Sequence, residues 1–349
     1  MWKKFQSFMR KYRLIVGKYY WDRKKKHRIC LNGNFIQENN IQSLLFLRQD
    51  GKVGDMVVHT MIFKAIKTKY PRIKIAVITR GAAQNIIEKN PYVDKIYEYK
   101  KKEIKDLAKK IAKEYYDILV DFSFMLRVRD MQLISLCKAK YNFGVNRENW
   151  NLFDVNIPFS FQEHISSLYL AFLKKLGIEE VETGYELFFE NKQENRREYI
   201  VFNPYAASNN RSFHENMILK ISEKLLKYTD LDLYIIGEET RRGELKKVSE
   251  KLGKRVHTFV SRSISEIFPL IHHAAFVITP DTAIVHIAVA LQKEMIAIYR
   301  KDRKGDFNSI LWGPNFKKAY VLYSSENDVN DWERENWECL ENRIKQILK

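Results

Sequence analysis

The sequence predicts an α/β protein made of two doubly wound domains, and three observations support this. Short apolar runs alternate with helical stretches along most of the chain, which is typical of parallel strands joined by helices. The alternation stops at the polar stretch 190–198 and restarts after it. The length of 349 residues exceeds what one core commonly holds. We therefore expect two Rossmann-like domains facing a central cleft.

The first domain is expected over 41–189, after an N-terminal extension and linker over 1–40. The linker prediction rests on residues 28–40, which lack periodic apolar positions and contain the turn-forming run Asn32-Gly33-Asn34. Apolar runs predict strands, and periodic stretches predict helices. The predicted strands are 43–48, 73–79, 95–99 and 116–122, and the predicted helices are 55–69, 82–89 and 102–115.

The second domain is expected over 199–327, after a hinge at 190–198. Its predicted strands are 199–203, 233–236, 276–279 and 295–299. The acidic and aromatic segment 328–349 predicts a C-terminal helix.

Composition indicates a globular cytoplasmic protein, with 45% hydrophobic and 30% charged residues. The three cysteines match no metal or redox spacing, which argues against a disulfide framework. No apolar run approaches the about 20 residues needed to span a bilayer. Residues 1–13 carry charges throughout and lack the apolar core of a signal peptide.

The N-terminal extension carries most of the positive charge. Residues 1–28 contain eleven Lys or Arg and one Asp, which is +10 of the net +18. Apolar residues recur there at steps of three and four, which predicts a helix with one apolar face; they are Trp2, Phe5, Met9, Tyr12, Val16 and Tyr19. A basic helix with an aromatic face favours contact with an anionic membrane surface. The expected contacts are Trp2, Lys3, Lys4, Phe5, Arg10 and Lys11.

Two alternatives exist for this extension. The apolar face could instead dock on the body of the protein, with the lysines in solvent. Nucleic acid is a weaker alternative, because no recognition motif accompanies the charge. We therefore expect no nucleic-acid partner.

Three clusters follow predicted strands directly, where open α/β sheets bind ligands. The first is Asp50-Gly51-Lys52-Val53-Gly54-Asp55. Its two glycines allow a tight turn and close backbone approach. Asp55 at the helix start either caps the helix or, facing a cleft, serves as a general base. Position alone favours the cap.

The second cluster runs from Asn203 to Arg211, a small polar loop that ends in one arginine ahead of a helix. Backbone N–H groups and a guanidinium suit a diphosphate. Surface arginines are common in loops, so a purely structural role is the alternative.

The third cluster runs from Thr279 to His286, where a strand ends and a helix begins. Asp281 and Thr282 can cap that helix, and His286 lies one turn further along the same face. A cap with a structural histidine and a ligand site are equally compatible with this spacing. No H-E-x-x-H, CxxC or G-x-S-x-G motif is present, which argues against zinc hydrolases and α/β-hydrolases. No metal site is expected.

Together these clusters resemble glycosyltransferase family 9, the ADP-heptose:lipopolysaccharide heptosyltransferases. Residues 43–79 resemble the family's opening strand, Gly-Asp turn and first helix. Asn90-Pro91-Tyr92-Val93-Asp94 resembles an NPYVD-like segment, and residues 280–288 resemble a D-T-G-x-x-H-x-A helix start. The similarity covers roughly 41–314, in the correct order.

The resemblance implies a GT-B fold, with an N-terminal acceptor domain and a C-terminal nucleotide-sugar domain. It also implies metal-independent, inverting transfer of heptose from ADP-heptose, with no further cofactor. The acceptor would be a lipid-linked saccharide of the lipid A–Kdo type at the inner face of the inner membrane, where the enzyme would be peripheral. An anionic membrane surface would then be a natural partner of the basic extension.

The resemblance also implies residue roles. Asp55 would deprotonate the acceptor hydroxyl, and Arg211, where the family has a lysine, would stabilise the leaving diphosphate. Lys52 and Gly54 would belong to the acceptor loop. The expected donor-binding residues are Arg211, Glu239 (on the ribose), Asp281, Thr282, the backbone of Ala283, and His286.

Three departures from the family pattern bear on the donor. Ala283 replaces a glycine, Arg300-Lys301 replaces a glycine-containing turn, and Arg211 replaces a lysine. They leave open another sugar donor or acceptor within the family. A non-catalytic, membrane-associated homologue is a further alternative, against which the joint presence of Asp55, Asp281 and His286 argues.

Overall fold

The computed structural model describes residues 2–24, 29, 34–191, 198–304 and 306–348, without the side chains of residues 2–7, 10 and 11. The chain forms two compact units. The first comprises Met1–Lys52, Met61–Ser160 and Ile165–Thr183, and the second comprises Val53–Thr60, Phe161–His164 and Gly184–Lys349. The last segment of the second unit thus begins at Gly184, ahead of the predicted hinge at 190–198. Residues 192–197 of that hinge lie outside the described part.

The first unit contains a parallel six-stranded sheet in the order β3-β2-β1-β4-β5-β6. Its strands are β1 (Ser43–Leu47), β2 (Lys74–Thr79), β3 (Lys95–Glu98), β4 (Ile118–Asp121), β5 (Tyr141–Val145) and β6 (Val155–Ile157). The helices over this part of the chain are α1 (Trp2–Trp21), α2 (Phe35–Glu38), α3 (Val53–Lys69), α4 (Ala83–Ile87), α5 (Ile104–Ala112), α6 (Val128–Cys137) and α7 (Ile165–Lys175). Helix α3 begins in the second unit and continues in the first.

Strand β1 shows why an unbroken apolar run predicts a central strand. It lies between β2 and β4, with Leu45 opposite Ala76 on one side and Leu119 on the other. Residues Leu44 to Leu47 are all buried. A parallel strand has helices over both sheet faces, so every side chain is covered and apolar residues do not alternate with polar ones.

The second unit repeats this architecture, with the sheet order β12-β11-β10-β7-β8-β9. Its strands are β7 (Tyr199–Phe202), β8 (Asp232–Glu238), β9 (Val256–Ser261), β10 (Phe276–Pro280), β11 (Met295–Tyr299) and β12 (Ala319–Tyr323). Its helices are α8 (Glu215–Tyr228), α9 (Arg242–Leu252), α10 (Ile267–His272), α11 (Ala283–Ala290), α12 (Asn308–Leu311) and α13 (Arg334–Ile347). Short 3-10 turns lie at Asn209–Arg211, Glu239–Arg241 and Ile264–Glu266.

The predicted α/β class is confirmed, and each of the eight predicted strands lies within two residues of an observed one. Sequence reasoning missed β5, β6, β9 and β12. Strand β6 has three residues, and β9 (VHTFVS) mixes polar and apolar residues at a sheet edge, so the apolar patterns of these two strands are weak. The apolar run of β12 (AYVLY) was not recognised. The predicted C-terminal helix begins at Arg334, behind a capping box formed by Glu333 and Asn336.

A short helix lies within the predicted linker. In α2, Phe35 is fully buried, and its ring centroid lies 5.1 Å from that of Tyr141 and 5.3 Å from that of Phe143. Asn34 caps this helix by accepting a hydrogen bond from Gln37. The predicted turn at Asn32-Gly33 lies outside the described residues.

Helix α1 packs against α6 of the first unit. Leu14 and Trp21 lie on the core, and Gly17 sits so close to α6 that an added Cβ would lie 2.8 Å from Val128 Cγ2. The extension therefore does dock on the protein, by a face other than the predicted apolar one. Six predicted membrane contacts have side chains outside the described part: Trp2, Lys3, Lys4, Phe5, Arg10 and Lys11.

Candidate active site

The strand order of the second unit reverses between β7 and β10. The chain runs outward from β7 to β9 and returns to β10 on the other side of β7. Doubly wound sheets bind ligands at the carboxyl ends of the strands at such a reversal. The loops after β7 and β10 carry Arg211, Asp281 and Thr282, so the structure brings three predicted donor-binding residues together here.

Arg211 is held by side chains on both sides. Its Nη1 lies 3.0 Å from Asp281 Oδ2, and its Nε donates to Ser208 Oγ at 3.0 Å. Asp281 Oδ2 also accepts from Asn308 Nδ2 at 2.8 Å. The guanidinium is about a third exposed and the carboxylate is nearly buried. The arginine is therefore fixed in orientation while part of it remains open to a ligand.

Thr282 is the N-cap of α11. Its hydroxyl accepts from the backbone N–H of Ile284 at 3.1 Å and from Asn203 Nδ2 at 3.2 Å. Asn203 also donates to Thr279 Oγ1 at 3.0 Å, which ties the end of β7 to the end of β10. The predicted cap is confirmed, and the first turn of α11, from Ala283, supplies the positive end of a helix dipole next to Arg211.

Glu239 lies apart from these contacts, in the turn after β8. Its carboxylate receives two hydrogen bonds from Arg242, at 2.6 Å from Nε and 2.7 Å from Nη2. The pair is exposed, and the arginine lowers the pKa of Glu239. Glu239 is thus an ionised carboxylate at the carboxyl edge of the same sheet.

The first turn of α3 belongs to the second unit and touches the start of α11. A Cβ added at Gly54 would lie 2.9 Å from His286 Cδ2 and 3.3 Å from the Cα of Ala283. Only a glycine allows this approach without displacing a neighbour. Asp55 directly follows Gly54 in the chain, so its backbone lies beside the start of the helix that carries Ala283 and His286.

Asp55 is the third residue of α3, and Lys52 is the N-cap. The carboxylate is therefore not the N-cap residue that position alone favoured. It lies half-buried in the first turn, where the helix dipole stabilises negative charge.

His286 is buried beneath this contact. Its ring centroid lies 6.4 Å from that of Tyr185 and 6.3 Å from that of Trp312. Burial, aided by the charge of His164, lowers the pKa of His286 to about 3. The ring is therefore neutral at ordinary pH and acts as a packed spacer between α11 and the first turn of α3.

The loop before α3 belongs to the first unit. Gly51 has φ +70, and an added Cβ would lie 2.9 Å from the carbonyl oxygen of Arg80. Arg80 Nε donates to the carbonyl of Gln49 at 2.8 Å, which holds the loop in place. Lys52 is exposed at its end. The two glycines of this cluster thus serve different contacts.

The first sheet has its own reversal point, between β1 and β4. Asp121, at the end of β4, is fully buried and accepts from the backbone N–H of Ser123 at 3.0 Å and from its hydroxyl at 2.8 Å. Arg147 Nη2 donates to the carbonyl of Ser123 at 2.8 Å. Burial raises the pKa of Asp121 to about 6, although Arg147 opposes the shift.

Sequence reasoning did not single out Asp121, Arg147, Ser208 or Asn308 as site residues. A signal existed for Asp121, because it ends an apolar strand. Asn308 lies in α12, far along the chain from Asp281, and nothing in the local pattern indicates their contact.

Across the described ranges, no three His, Cys, Asp or Glu side chains cluster as metal ligands would. In the same part of the chain, no helix combines the length and apolarity needed to cross a membrane.

Comparison with known families decides the classification. The model of glycosyltransferase family 9 (heptosyltransferase) matches residues 106–338, about two thirds of the chain. The chain belongs to glycosyltransferase family 9. It is therefore a glycosyltransferase of the heptosyltransferase family, which acts in lipopolysaccharide biosynthesis.

Individual members of family 9 are distant in sequence. The chain is 23% identical to the Escherichia coli (strain K12) protein named "Putative lipopolysaccharide heptosyltransferase 4", over 91% of this chain and 90% of that one. It is 22% identical to lipopolysaccharide heptosyltransferase 3 of the same organism, over 75% of this chain and 82% of that one.

Solved structures of family 9 enzymes share the fold. The E. coli ADP-heptose LPS heptosyltransferase II has a TM-score of 0.69 at 14% identity, covering 88% of this chain and 99% of that chain. The E. coli heptosyltransferase WaaC with ADP has a TM-score of 0.71 at 16% identity, covering 88% and 98%. The predicted GT-B class, with two Rossmann-like units, is thereby confirmed. The roles predicted for individual site residues stay predictions.

Proposed function

We propose that this protein transfers heptose from ADP-heptose to a lipopolysaccharide inner-core acceptor of the lipid A–Kdo type, with inversion at the anomeric carbon. The observation that carries the proposal is the contact of Gly54 with Ala283 and His286. It joins the turn that carries the candidate base, Asp55, to the helix start that carries the candidate donor site.

The leaving diphosphate is proposed to bind between Arg211 and the first turn of α11. Cleavage of the anomeric C–O bond leaves the electron pair on the diphosphate oxygen. A guanidinium that is already oriented stabilises this developing charge without reorganising. The helix dipole at Ala283 adds to the same potential. These two groups can take the role that a metal has elsewhere, so the proposed transfer is metal-independent.

Asp281 is proposed to orient Arg211 and to bind a donor hydroxyl. A carboxylate repels phosphate, so Asp281 is better suited to accept a hydrogen bond from a hydroxyl of the donor sugar than to contact the diphosphate. Thr282 holds the helix start in register through Asn203. Glu239, an acceptor with two oxygens, suits the two hydroxyls of a ribose.

Asp55 is proposed to take the proton of the attacking acceptor hydroxyl. The oxygen then forms its bond to the anomeric carbon on the face opposite the diphosphate, which inverts that centre. General-base catalysis of this kind contributes about 10²–10⁴-fold. Lys52, exposed just before the helix, is proposed to contact the acidic acceptor.

A second candidate keeps the family and changes the sugar or the acceptor. In place of the family's glycine turn, Arg300 forms an ion pair with Asp306 at 3.0 Å, and Ala283 adds a methyl group at the helix start. Both changes lie near the donor cluster and favour a donor of different shape.

The deciding experiment measures transfer from ADP-heptose and from other nucleotide sugars to purified Kdo-containing lipid A. Turnover with ADP-heptose, lost in Asp55→Asn while ADP binding persists, supports the proposal. Turnover with another nucleotide sugar alone would replace the donor. Tight nucleotide binding without any turnover would favour a non-catalytic homologue.

We also propose that the enzyme works in the cytoplasm, peripheral to the inner face of the inner membrane. The lipid-linked class of acceptor and the basic N-terminal extension support this. Trp2, Lys3, Lys4, Phe5, Arg10 and Lys11 remain predicted contacts with the anionic surface.

A further inference from the structure

Helix α1 has an outward face that no described residue covers. Six large apolar side chains on this helix are exposed: Phe8, Tyr12, Ile15, Val16, Tyr19 and Tyr20. The exposed fraction is 65% for Phe8, 69% for Ile15 and 67% for Tyr19. Across the described residues, eleven large hydrophobic side chains are exposed, and six of them lie on this one helix. Such a concentration marks an interaction surface.

We call Phe8, Tyr12, Ile15, Val16 and Tyr19 the outer face of α1. These residues recur at steps of four, three, one and three, so they share one side of the helix. Gly17, Leu14 and Trp21 lie on the opposite side, against α6. The helix is therefore held by one face and presents the other.

The helix is also fastened to the first unit at its C-terminal end. Lys18 Nζ donates to the carbonyl of Asn149 at 2.8 Å and lies 4.7 Å from the centroid of the Trp150 ring. Asp22 accepts from the backbone N–H of Leu152 at 2.6 Å. These contacts keep the outer face pointing away from the core when a partner binds.

Charge selects the partner. Residues 1–28 carry eleven basic side chains and one acidic one. Arg13 is exposed on α1, and the Arg23 guanidinium lies 4.6 Å from the centroid of the Tyr19 ring, at the end of the outer face. Two copies of so basic a segment repel each other, which disfavours a face shared between copies of this chain. An apolar face within a basic field fits the interface of an anionic bilayer.

The geometry points to a docking surface: we propose that the outer face of α1 inserts into the interface of an anionic lipid bilayer, with the helix lying parallel to the membrane plane. Its buried side remains on α6, so it does not span. Aromatic side chains sit well at the headgroup level, where one end is apolar and the other wet. This surface shares Tyr12, Val16 and Tyr19 with the predicted apolar face, and it adds Phe8 and Ile15, which were not recognised in the sequence.

The test is partition of the full chain onto vesicles, measured by co-sedimentation without substrate, so that it does not depend on turnover. Vesicles of phosphatidylglycerol with phosphatidylcholine are compared with vesicles of phosphatidylcholine alone. The variant Phe8→Ser/Ile15→Ser/Tyr19→Ser removes three outer-face side chains. Tyr115→Asn is the matched control, because Tyr115 is 82% exposed and lies outside α1.

We expect the triple variant to lower partition onto the anionic vesicles by at least about tenfold, since apolar insertion supplies part of the affinity. Tyr115→Asn should leave partition unchanged. Raising salt from about 0.1 M to about 1 M should weaken binding of the wild type, because the Debye length falls from about 10 Å to about 3 Å. An unchanged thermal midpoint in the triple variant shows that the fold is kept; if it falls, Ile15→Ser is measured alone.

Three outcomes would overturn the proposal. One is equal partition of the wild type and the triple variant. Another is equal, salt-independent binding to neutral and anionic vesicles. The third is absence of vesicle binding together with a dimer that the triple variant dissociates in sedimentation velocity, which would assign the outer face to a second copy. Failure of sugar transfer leaves all three readouts unaffected.

Discussion

The two sheets have the same strand order, but the carboxyl edges at their reversal points carry different chemistry. In the second unit, Arg211 and Asp281 form an ion pair beside the start of α11, with the guanidinium about a third exposed and the carboxylate nearly buried. In the first unit, Asp121 is buried and hydrogen-bonded to Ser123, which also accepts from Arg147. The second edge is open to a ligand, whereas this part of the first edge is closed. The same topology thus gives each sheet a reversal point where a ligand can bind, and the side chains there determine whether that position is open.

The largest expected effect comes from a substitution in the first turn of α3, which contacts the carboxyl edge of the second sheet. Asp55→Asn keeps the shape of the side chain and removes its ability to take a proton. We expect kcat to fall by about 10²–10⁴-fold, with little change in ADP affinity. Asp106→Asn is the control and should retain full turnover, because the Asp106 side chain is exposed on the outer side of α5. Retained turnover in Asp55→Asn would assign the base to another residue.

Arg211 tests the open edge itself. Arg211→Ala should lower kcat by about 10²–10³-fold, because a donor to the developing diphosphate charge is lost and Asp281 is left unpaired. Arg211→Lys keeps the charge and should retain activity within about tenfold. Steady-state kinetics with varied ADP-heptose measure both, with Arg334→Ala, exposed on α13, as the control. Equal losses in Ala and Lys variants would show that guanidinium geometry, and not charge, is required.

Gly54→Ala tests the contact between the first turn of α3 and α11. The new Cβ would lie 2.9 Å from His286 Cδ2, so the buried ring or the helix start would have to shift. We expect a loss of about 1–3 kcal/mol in the free energy of unfolding and a fall of about tenfold or more in kcat.

The control for Gly54→Ala is Gly243→Ala. Gly243 lies in α9, and an added Cβ there would meet nothing within 4 Å. Removing backbone freedom at such a site should stabilise the protein by about 0.4–1 kcal/mol. Urea unfolding compares the two variants, and a Gly54→Ala protein as stable and active as the wild type would argue against a tight contact.

The smallest expected effect concerns the closed edge and appears in stability only. The pKa of Asp121 is raised to about 6 in the folded protein, so between about pH 4 and pH 6 the native state holds a proton that the unfolded chain has released. The free energy of unfolding contributed by this group therefore falls as pH rises through that window. Urea unfolding at several pH values measures it.

Asp121→Asn removes this titration. The difference in unfolding free energy between wild type and variant should fall by about 1–3 kcal/mol from about pH 4 to about pH 7. Asp106→Asn should show no such trend, because Asp106 is exposed. A pH-independent difference for Asp121→Asn would mean that its carboxylate ionises in the fold as it does in the unfolded chain.

The sequence predicted most of the fold because local runs of apolar residues indicate which segments are buried. Leu44–Leu47 in β1 and Phe276–Ile278 in β10 are unbroken apolar runs, and both belong to buried central strands. The edge strand β9 has mostly half-buried side chains and mixes polar with apolar residues, so its sequence does not identify it as a strand. The clusters Asn203–Arg211 and Thr279–His286 were predicted as ligand sites because each begins where an apolar strand ends.

The sequence by itself determined the α/β class and the family, and it predicted two domains and the clusters that contain Arg211 and Asp281. Only the tertiary structure decided that Gly51 packs on Arg80 while Gly54 packs on His286, and that α1 docks through Gly17 and leaves Phe8 and Ile15 outside. Periodicity along the chain reports how much of a side chain is covered. It does not show which residues cover that side chain. Those residues come from elements far apart in sequence, and their packing depends on the whole fold.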